Sequence, residues 1–192
     1  MTGRIINISG VKPVEDPSYP YKMPSVIGRI KQRGHGFKTV IVNISNLASS
    51  LNRHPSEVNQ FFGYEMGATT TYDRENDRAV VIGAHSDLEL QDCVHKYIEK
   101  FVLCPSCRSP KTTYNISEGC IWYHCAACKR ANEDMVDRNH KLCIYILTKH
   151  KKTNKRREKQ GSEEDIINVS MDDLSVGPDS SVDDEGARRG EP

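Results

Sequence analysis

Four cysteines set in two pairs constrain this chain more than any other feature. Cys104-Pro105-Ser106-Cys107 and Cys125-Ala126-Ala127-Cys128 are C-x-x-C pairs separated by seventeen residues, the spacing of a four-cysteine zinc site. Each pair grips one face of a metal, and two pairs complete a closed tetrahedron. Such a site keeps no open position for water or substrate, so the zinc is structural and not catalytic. Between the pairs, the β-rich runs Thr112-Thr113-Tyr114-Asn115-Ile116 and Ile121-Trp122-Tyr123-His124 flank the turn Ser117-Glu118-Gly119. The pattern predicts a hairpin capped by metal, a zinc ribbon. A ribbon of this size has too little core to fold unaided, and metal binding supplies its folding free energy, about 10–16 kcal/mol apparent at neutral pH. Cys120 lies close enough to compete with Cys125 as a ligand, although that breaks the second pair. A thioredoxin-like redox motif needs one C-x-x-C beside a βαβ pattern, and two matched pairs argue against it.

The remaining cysteines point the same way. Of seven in 192 residues, Cys93 and Cys143 fall inside apolar-periodic segments, so a reducing compartment is expected and not a disulfide scaffold. Met1 opens no charged-then-apolar leader, and no apolar run approaches the roughly twenty residues of a membrane span. A cytoplasmic protein without membrane contact is the expectation.

The net charge of +1 conceals an asymmetry. Lys149, Lys151, Lys152, Lys155, Arg156, Arg157 and Lys159 form a basic cluster, followed by a serine-rich acidic stretch from Glu163 to Glu185. Charge blocks of this kind are usually solvated and disordered. The basic run suits ribosomal RNA or a nuclear-localisation-like signal. The acidic run, with Met171, Leu174 and Val176 interleaved, reads as an inert tail or a partner-binding remnant.

These signals divide the chain into a flexible N-terminal arm (1–18), an α/β domain (19–102), the zinc ribbon with a closing segment (103–149) and a disordered basic-then-acidic tail (150–192). The fold class is α+β: a small mixed α/β domain followed by a four-cysteine zinc ribbon, with disordered N-terminal arm and C-terminal tail. Val26 to Ile30 suggests a short strand. Gly34-His35-Gly36 forms a turn before Phe37 to Ile44, a β-branched run expected as a buried strand. That turn with Lys38 also suits a phosphate cradle, but a P-loop needs its second glycine directly before the lysine, where Phe37 stands. Asn46 is the expected cap of a helix carrying Leu47 and Leu51. Pro55 opens a second helix with Val58, Phe61 and Phe62 at helical spacing and Gly63 near its end. Thr69 to Tyr72 and Arg78 to Ile82 flank a polar turn and predict a hairpin. Ser86-Asp87-Leu88-Glu89 is a capping box ahead of Leu90, Val94, Tyr97, Ile98 and Phe101 on one helix face.

A set of segments in fixed order carries a family resemblance. Tyr21-Lys22-Met23-Pro24, Gly36-Phe37-Lys38-Thr39-Val40-Ile41-Val42-Asn43, Leu51-Asn52-Arg53, Phe62-Gly63-Tyr64-Glu65-Met66-Gly67-Ala68, Lys100-Phe101-Val102-Leu103-Cys104-Pro105-Ser106-Cys107 and His140-Lys141-Leu142-Cys143 resemble the N-terminal domain of eukaryotic translation initiation factor 5 over roughly residues 19–149. The beta subunit of initiation factor 2 shares the same unit. The resemblance implies a factor on the small ribosomal subunit that binds initiation factor 2 through its gamma and beta subunits and promotes or monitors GTP hydrolysis during start-codon selection. It implies initiator tRNA, the small subunit and other initiation factors as partners, with no intrinsic catalysis. Tyr19, Pro20, Tyr21, Lys22, Arg29, Arg33, Gly34, Gly36 and Lys38 are the residues it turns toward the GTPase or RNA.

Two departures bear on that expectation. The family's arginine finger falls at Pro20, which has no charge to set against a transferring phosphoryl group, a contribution on the order of 10³–10⁵ in rate. Lys22 nearby offers a point charge and not a planar fork, while Arg4, Arg29 or Arg33 are further candidates to substitute. The family's helical-repeat C-terminal domain is also missing from the expected layout, where only the tail follows. A P-site binding module without GTPase activation is therefore the second reading, and a zinc-ribbon nucleic-acid binder outside translation the third. No nucleophile, base and orienting group line up for an enzyme in its own right; His85, His95, His124 and His140 are assigned to structure or surface.

Overall fold

In the computed structural model, residues 3–34, 36–132 and 140–153 are described. The expectations for His35, for the tail from residue 154 and for the side chain of Arg33 lie outside those residues. Residues 1–151 form one compact unit, whose described residues make a mixed arrangement of helices and three antiparallel sheets.

Two consecutive hairpins build the main sheet. Strands β3 (Gly28–Arg33) and β4 (Gly36–Ile41) are joined at Gly34, whose φ of +61° suits glycine. Strands β5 (Thr70–Asp73) and β6 (Arg78–Ile82) form the second hairpin, and β6 pairs with β4 to give the order β3-β4-β6-β5. Because side chains alternate across a strand, one face carries Ile41, Ala79 and Val81 into the core. The run from Phe37 was expected to be buried throughout, but burial begins at Thr39 and Phe37 is 49 % exposed. Its strand ends at Ile41, and Ile44 already belongs to the first helix.

Helices α1 (Ile44–Ser50), α2 (Pro55–Met66) and α3 (Asp87–Phe101) cover the core face. Helix α1 begins earlier than expected, capped at Asn43 and not at Asn46, which lies inside it. The Asn43 side chain is spent elsewhere, accepting from the Ile27 N–H at 3.0 Å and donating to Ser25 O at 2.7 Å. Pro55 opens α2 as expected, with its fixed φ suited to the first turn. The left-handed cap is Gly67 at φ +62°, however, so Gly63 is an interior residue packed on Ala68 and Thr70. Ser86 and Glu89 make both bonds of the capping box, and Leu90, Val94, Tyr97, Ile98 and Phe101 are buried on one face of α3. Phe61, Tyr97 and Phe101 meet with ring centroids 5.3 to 5.7 Å apart, within the range of favourable aromatic pairing.

The expected flexible arm is the clearest correction. Residues Ile5–Asn7 form β1 and pair with β2 (Lys22–Pro24), so that Ile8 is 4 % and Met23 1 % exposed. Ile8 N–H donates to Tyr21 O at 2.9 Å. The apolar side chains of the arm complete the core beside α1 and α3, and that burial offsets the cost of ordering the chain.

Helix α3 runs directly into the cysteine-bearing sheet of β7 (Thr112–Ser117), β8 (Cys120–Cys125) and the short β9 (Ala131–Asn132), ordered β7-β8-β9. A further helix, α4, covers residues 141–153, so residues 150–153, expected to open the disordered tail, are helical and extend the closing segment. Leu142, Cys143 and Ile146 of α4 join Ile121 and Tyr123 of β8 in the core cluster shared with α2 and α3.

Candidate functional site

The backbone writes the same turn at both cysteine pairs. Cys104 N–H donates to Ser109 O at 3.0 Å and Arg108 N–H to Cys104 O at 2.8 Å; Cys125 N–H donates to Arg130 O and Lys129 N–H to Cys125 O, each at 3.0 Å. In each turn the residue after the second cysteine is left-handed, Arg108 at φ +59° and Lys129 at φ +60°. That conformation costs a non-glycine residue roughly 1–2 kcal/mol, a strain held in place by the turn around it.

The β7–β8 hairpin brings the two turns face to face. Sulfurs of Cys104, Cys107, Cys125 and Cys128 lie within 4.8 Å of one another, with Cys104–Cys128 at 3.7 Å and Cys107–Cys125 at 3.6 Å. Four sulfurs at about 2.3 Å from a tetrahedral zinc are separated by about 3.8 Å, and the Cys104–Cys128 and Cys107–Cys125 separations lie close to that value, so this donor set could hold such an ion. Cys104 and Cys125 are buried, Cys128 half-buried and Cys107 exposed. Burial alone would raise the Cys104 thiol, but N–H groups of Cys107 and Ser106 and the sulfurs of Cys107 and Cys128 bring it down to about 7. The lowered pKa favours the thiolate at Cys104, while Cys107 is pushed the other way: the N–H of Ser109 is outweighed there by the neighbouring sulfurs, and the thiol rises to about 12. Cys120 pairs with Ser117 at the far end of the hairpin and is outside the cluster.

The other candidate residues fall into two groups on different sheets. In the first, Tyr19 and Tyr21 meet edge to face at 5.3 Å, and Pro20 between them is exposed. Lys22 extends its ammonium to Asn7 Oδ1 and to Pro17 O, the latter at 3.0 Å. In the second, Arg29, Lys31 and Lys38 share the face of the β3–β4 hairpin that turns away from the helices, with Lys31 directly opposite Lys38. Ile82 of β6, 51 % exposed, lies opposite Lys38 on the same face. Gly34 and Gly36 form the tip, where a Cβ would meet nothing within 4 Å, and Arg33 pairs with Gly36.

Sequence reasoning missed the residue that joins the helices to the cysteine sheet. Arg53 is 7 % exposed. Its Nη1 donates to Thr112 O at 2.7 Å and its Nη2 to Phe101 O at 2.7 Å and Thr112 Oγ1 at 2.8 Å. The rings of Tyr114 and Tyr123 lie 5.4 and 6.0 Å from its guanidinium carbon, a distance at which a cation is attracted to an aromatic face. Beside it, Glu57 Oε1 accepts from Tyr114 O–H. No spacing rule flags a buried arginine; the available signal was Leu51-Asn52-Arg53 standing as a compact motif.

The profile of the family described as a domain found in initiation factors 2B and 5 matches residues 12–131. The chain is 43 % identical over 136 residues to eukaryotic translation initiation factor 5 of Mus musculus, covering 70 % of this chain and 31 % of that protein. It is 38 % identical over 133 residues to the factor of Saccharomyces cerevisiae, covering 69 % and 32 %. It is also 38 % identical over 165 residues to the probable factor of Schizosaccharomyces pombe, covering 80 % and 41 %. The chain thus spans about a third of the length of the curated relatives it matches. With the match running from the N-terminal segment through both cysteine pairs, this chain belongs to the family of domains found in initiation factors 2B and 5.

Proposed function

We propose that this chain is a translation initiation factor that acts on the small-subunit preinitiation complex, binds initiation factor 2 and promotes or monitors its GTP hydrolysis during start-codon selection. The observation that supports it is the identity of 40 to 43 % to proteins named eukaryotic translation initiation factor 5 over 70 % of the chain. On this reading the four cysteines hold one structural zinc ion, which fixes the ribbon without taking part in chemistry. Arg29, Lys31 and Lys38 contact the phosphate backbone of initiator tRNA or of the small subunit, in a salt-sensitive and sequence-blind way. Tyr19, Pro20, Tyr21 and Lys22 face the GTPase. The chain carries out no catalysis of its own and works in the cytoplasm.

A second reading keeps the binding and drops the activation. It is favoured by the exposed Pro20 and by Lys22, whose ammonium is engaged by Asn7 and Pro17 and so is not extended toward a partner. Single-turnover GTP hydrolysis by reconstituted factor 2, initiator tRNA and small subunit separates the two. Stimulation by the wild-type chain, little changed by Pro20→Arg, supports the activator. Binding without stimulation, with activity gained in Pro20→Arg, supports the second reading. No binding to the complex overturns both.

A further inference from the structure

The N-terminal segment is fastened to the first cysteine turn, and the fastening uses side chains that neither the metal site nor the sheet core requires. Glu99, near the end of α3, is the hinge of this contact. Its two carboxylate oxygens accept from Arg108 Nη1 at 2.6 Å and Nη2 at 2.7 Å, a bidentate fork with fixed geometry. The same Oε2 accepts from Val11 N–H at 3.3 Å. Gly10 is pressed so closely on it that a Cβ there would stand 1.8 Å from Oε2. A turn of α3 earlier, His95 Nδ1 lies 2.9 Å from Ser9 O. Further along the segment, the ammonium of Lys111 sits 5.6 Å from the centroid of the Tyr21 ring.

Arg108 owes its position to the cysteine turn. It is the left-handed residue of that turn, its N–H bonded to Cys104 O, so its direction is set when Cys104 and Cys107 are drawn together. Lys111 precedes β7 by one residue and is set by the same closure. The N-terminal segment thus meets residues set by the cysteine turn at two points, at Val11 through Glu99 and Arg108 and at Tyr21 through Lys111.

We propose that Arg108 and Lys111 are positioning residues for the N-terminal segment, so that metal occupancy of the four-cysteine site governs the placement of Tyr19, Pro20, Tyr21 and Lys22. The consequence for the GTPase rests on the function proposed above; the coupling itself belongs to the isolated chain. In this view the zinc acts at a distance, through Glu99, on the part of the molecule that faces the partner.

Amide hydrogen exchange on the full chain with zinc bound tests it, read at Val11 and Ile8 and accompanied by zinc content per chain. Arg108→Glu and Glu99→Arg each speed exchange at these amides about tenfold. The double variant, which restores the pair with its signs exchanged, returns exchange at Ile8 to within about twofold of wild type, while Val11, which loses its acceptor Glu99 Oε2, stays fast. Unchanged exchange at Ile8 in the single variants, or a double variant as fast there as the singles at full zinc content, overturns the proposal. Should Arg108→Glu lose zinc, Glu99→Gln, on α3 and away from the sulfurs, decides: faster exchange at Ile8, whose own acceptor is Tyr21 O, with zinc retained supports the coupling, and unchanged exchange there overturns it. Removing zinc from the wild type with a chelator also speeds residues 8–22 while β4 and β6 stay protected, whereas persistent protection of 8–22 overturns the coupling. None of these measurements contains a GTPase or ribosome, so their outcome is independent of the hydrolysis assay.

Discussion

Arg53 and Thr112 are joined twice across the seam between α2 and the cysteine sheet, through Thr112 O at 2.7 Å and Thr112 Oγ1 at 2.8 Å. Both residues are buried, and Thr112 Oγ1 in turn donates to Val102 O. Arg53→Met leaves the carbonyls of Phe101 and Thr112 without this donor and is expected to destabilise the chain by about 3 kcal/mol. Thr112→Val costs about 1–2 kcal/mol. Because the two share a network, the double variant costs less than the sum. Urea unfolding of the four proteins measures it, and additive losses would contradict the shared network.

Zinc removal is expected to act first on the ribbon. Trp122, the single tryptophan, lies in β8 opposite Asn115, so its emission reports on that sheet. A strong chelator at neutral pH should shift Trp122 emission while the core of α1, α2 and α3 retains its helical circular dichroism. Cys107→Ser should give the same emission in the presence of zinc. A wild-type spectrum indifferent to chelation would remove the metal from the folding of the ribbon.

Glu57 supplies a pH dependence. Burial raises its carboxyl above the ordinary 4.5, opposed by the hydrogen bond from Tyr114 and by the charges of Arg53 and Lys149. A raised pKa means that the folded state holds the proton more tightly than the unfolded one. Stability from this group is therefore full below about pH 4.5 and declines as pH rises through the folded-state pKa. Glu57→Gln, which keeps an acceptor for Tyr114, should stabilise the chain near neutral pH and add nothing below pH 4.5. A gain of equal size at all pH values would refute the assignment.

Gly63 sets helix propensity against space. Alanine favours a helix interior by about 1 kcal/mol over glycine, but a Cβ here would lie 2.7 Å from Ala68 O and 2.9 Å from Thr70 Cγ2. Overpacking typically costs about 1–3 kcal/mol, and a backbone oxygen cannot move aside as a side chain can. Gly63→Ala is expected to lower stability by about 1 kcal/mol in thermal unfolding; a stabilised variant would mean that α2 can shift.

What was legible in the sequence was what is decided locally. Each C-x-x-C pair, the capping box of Ser86 and Glu89 and the Pro55 start of α2 depend on residues within a turn, and the apolar face of α3 on a repeat carried along a single helix. Contacts made at long range were not legible. Nothing near Ile5 announces that it will pair with Pro24, and three residues are too few to show a period. Asn43 and Asn46 were indistinguishable as caps until the chain brought Ile27 and Ser25 to one of them. Arg53 looks like a surface residue because its partners, Phe101 and Thr112, lie 48 and 59 positions away. In the candidate site, ligand chemistry is carried by residue type and spacing, whereas the engagement of Lys22 by Asn7 and Pro17 required the fold.

The repeated cysteine turn gives the chain an internal calibration. Arg108 and Lys129 occupy equivalent left-handed stations in two copies of one turn, but Arg108 also grips Glu99. Glycine at either station relieves the same backbone strain. Subtracting the effect of Lys129→Gly from that of Arg108→Gly therefore cancels the backbone contribution and leaves the worth of the guanidinium itself, weighed inside one molecule without a foreign reference.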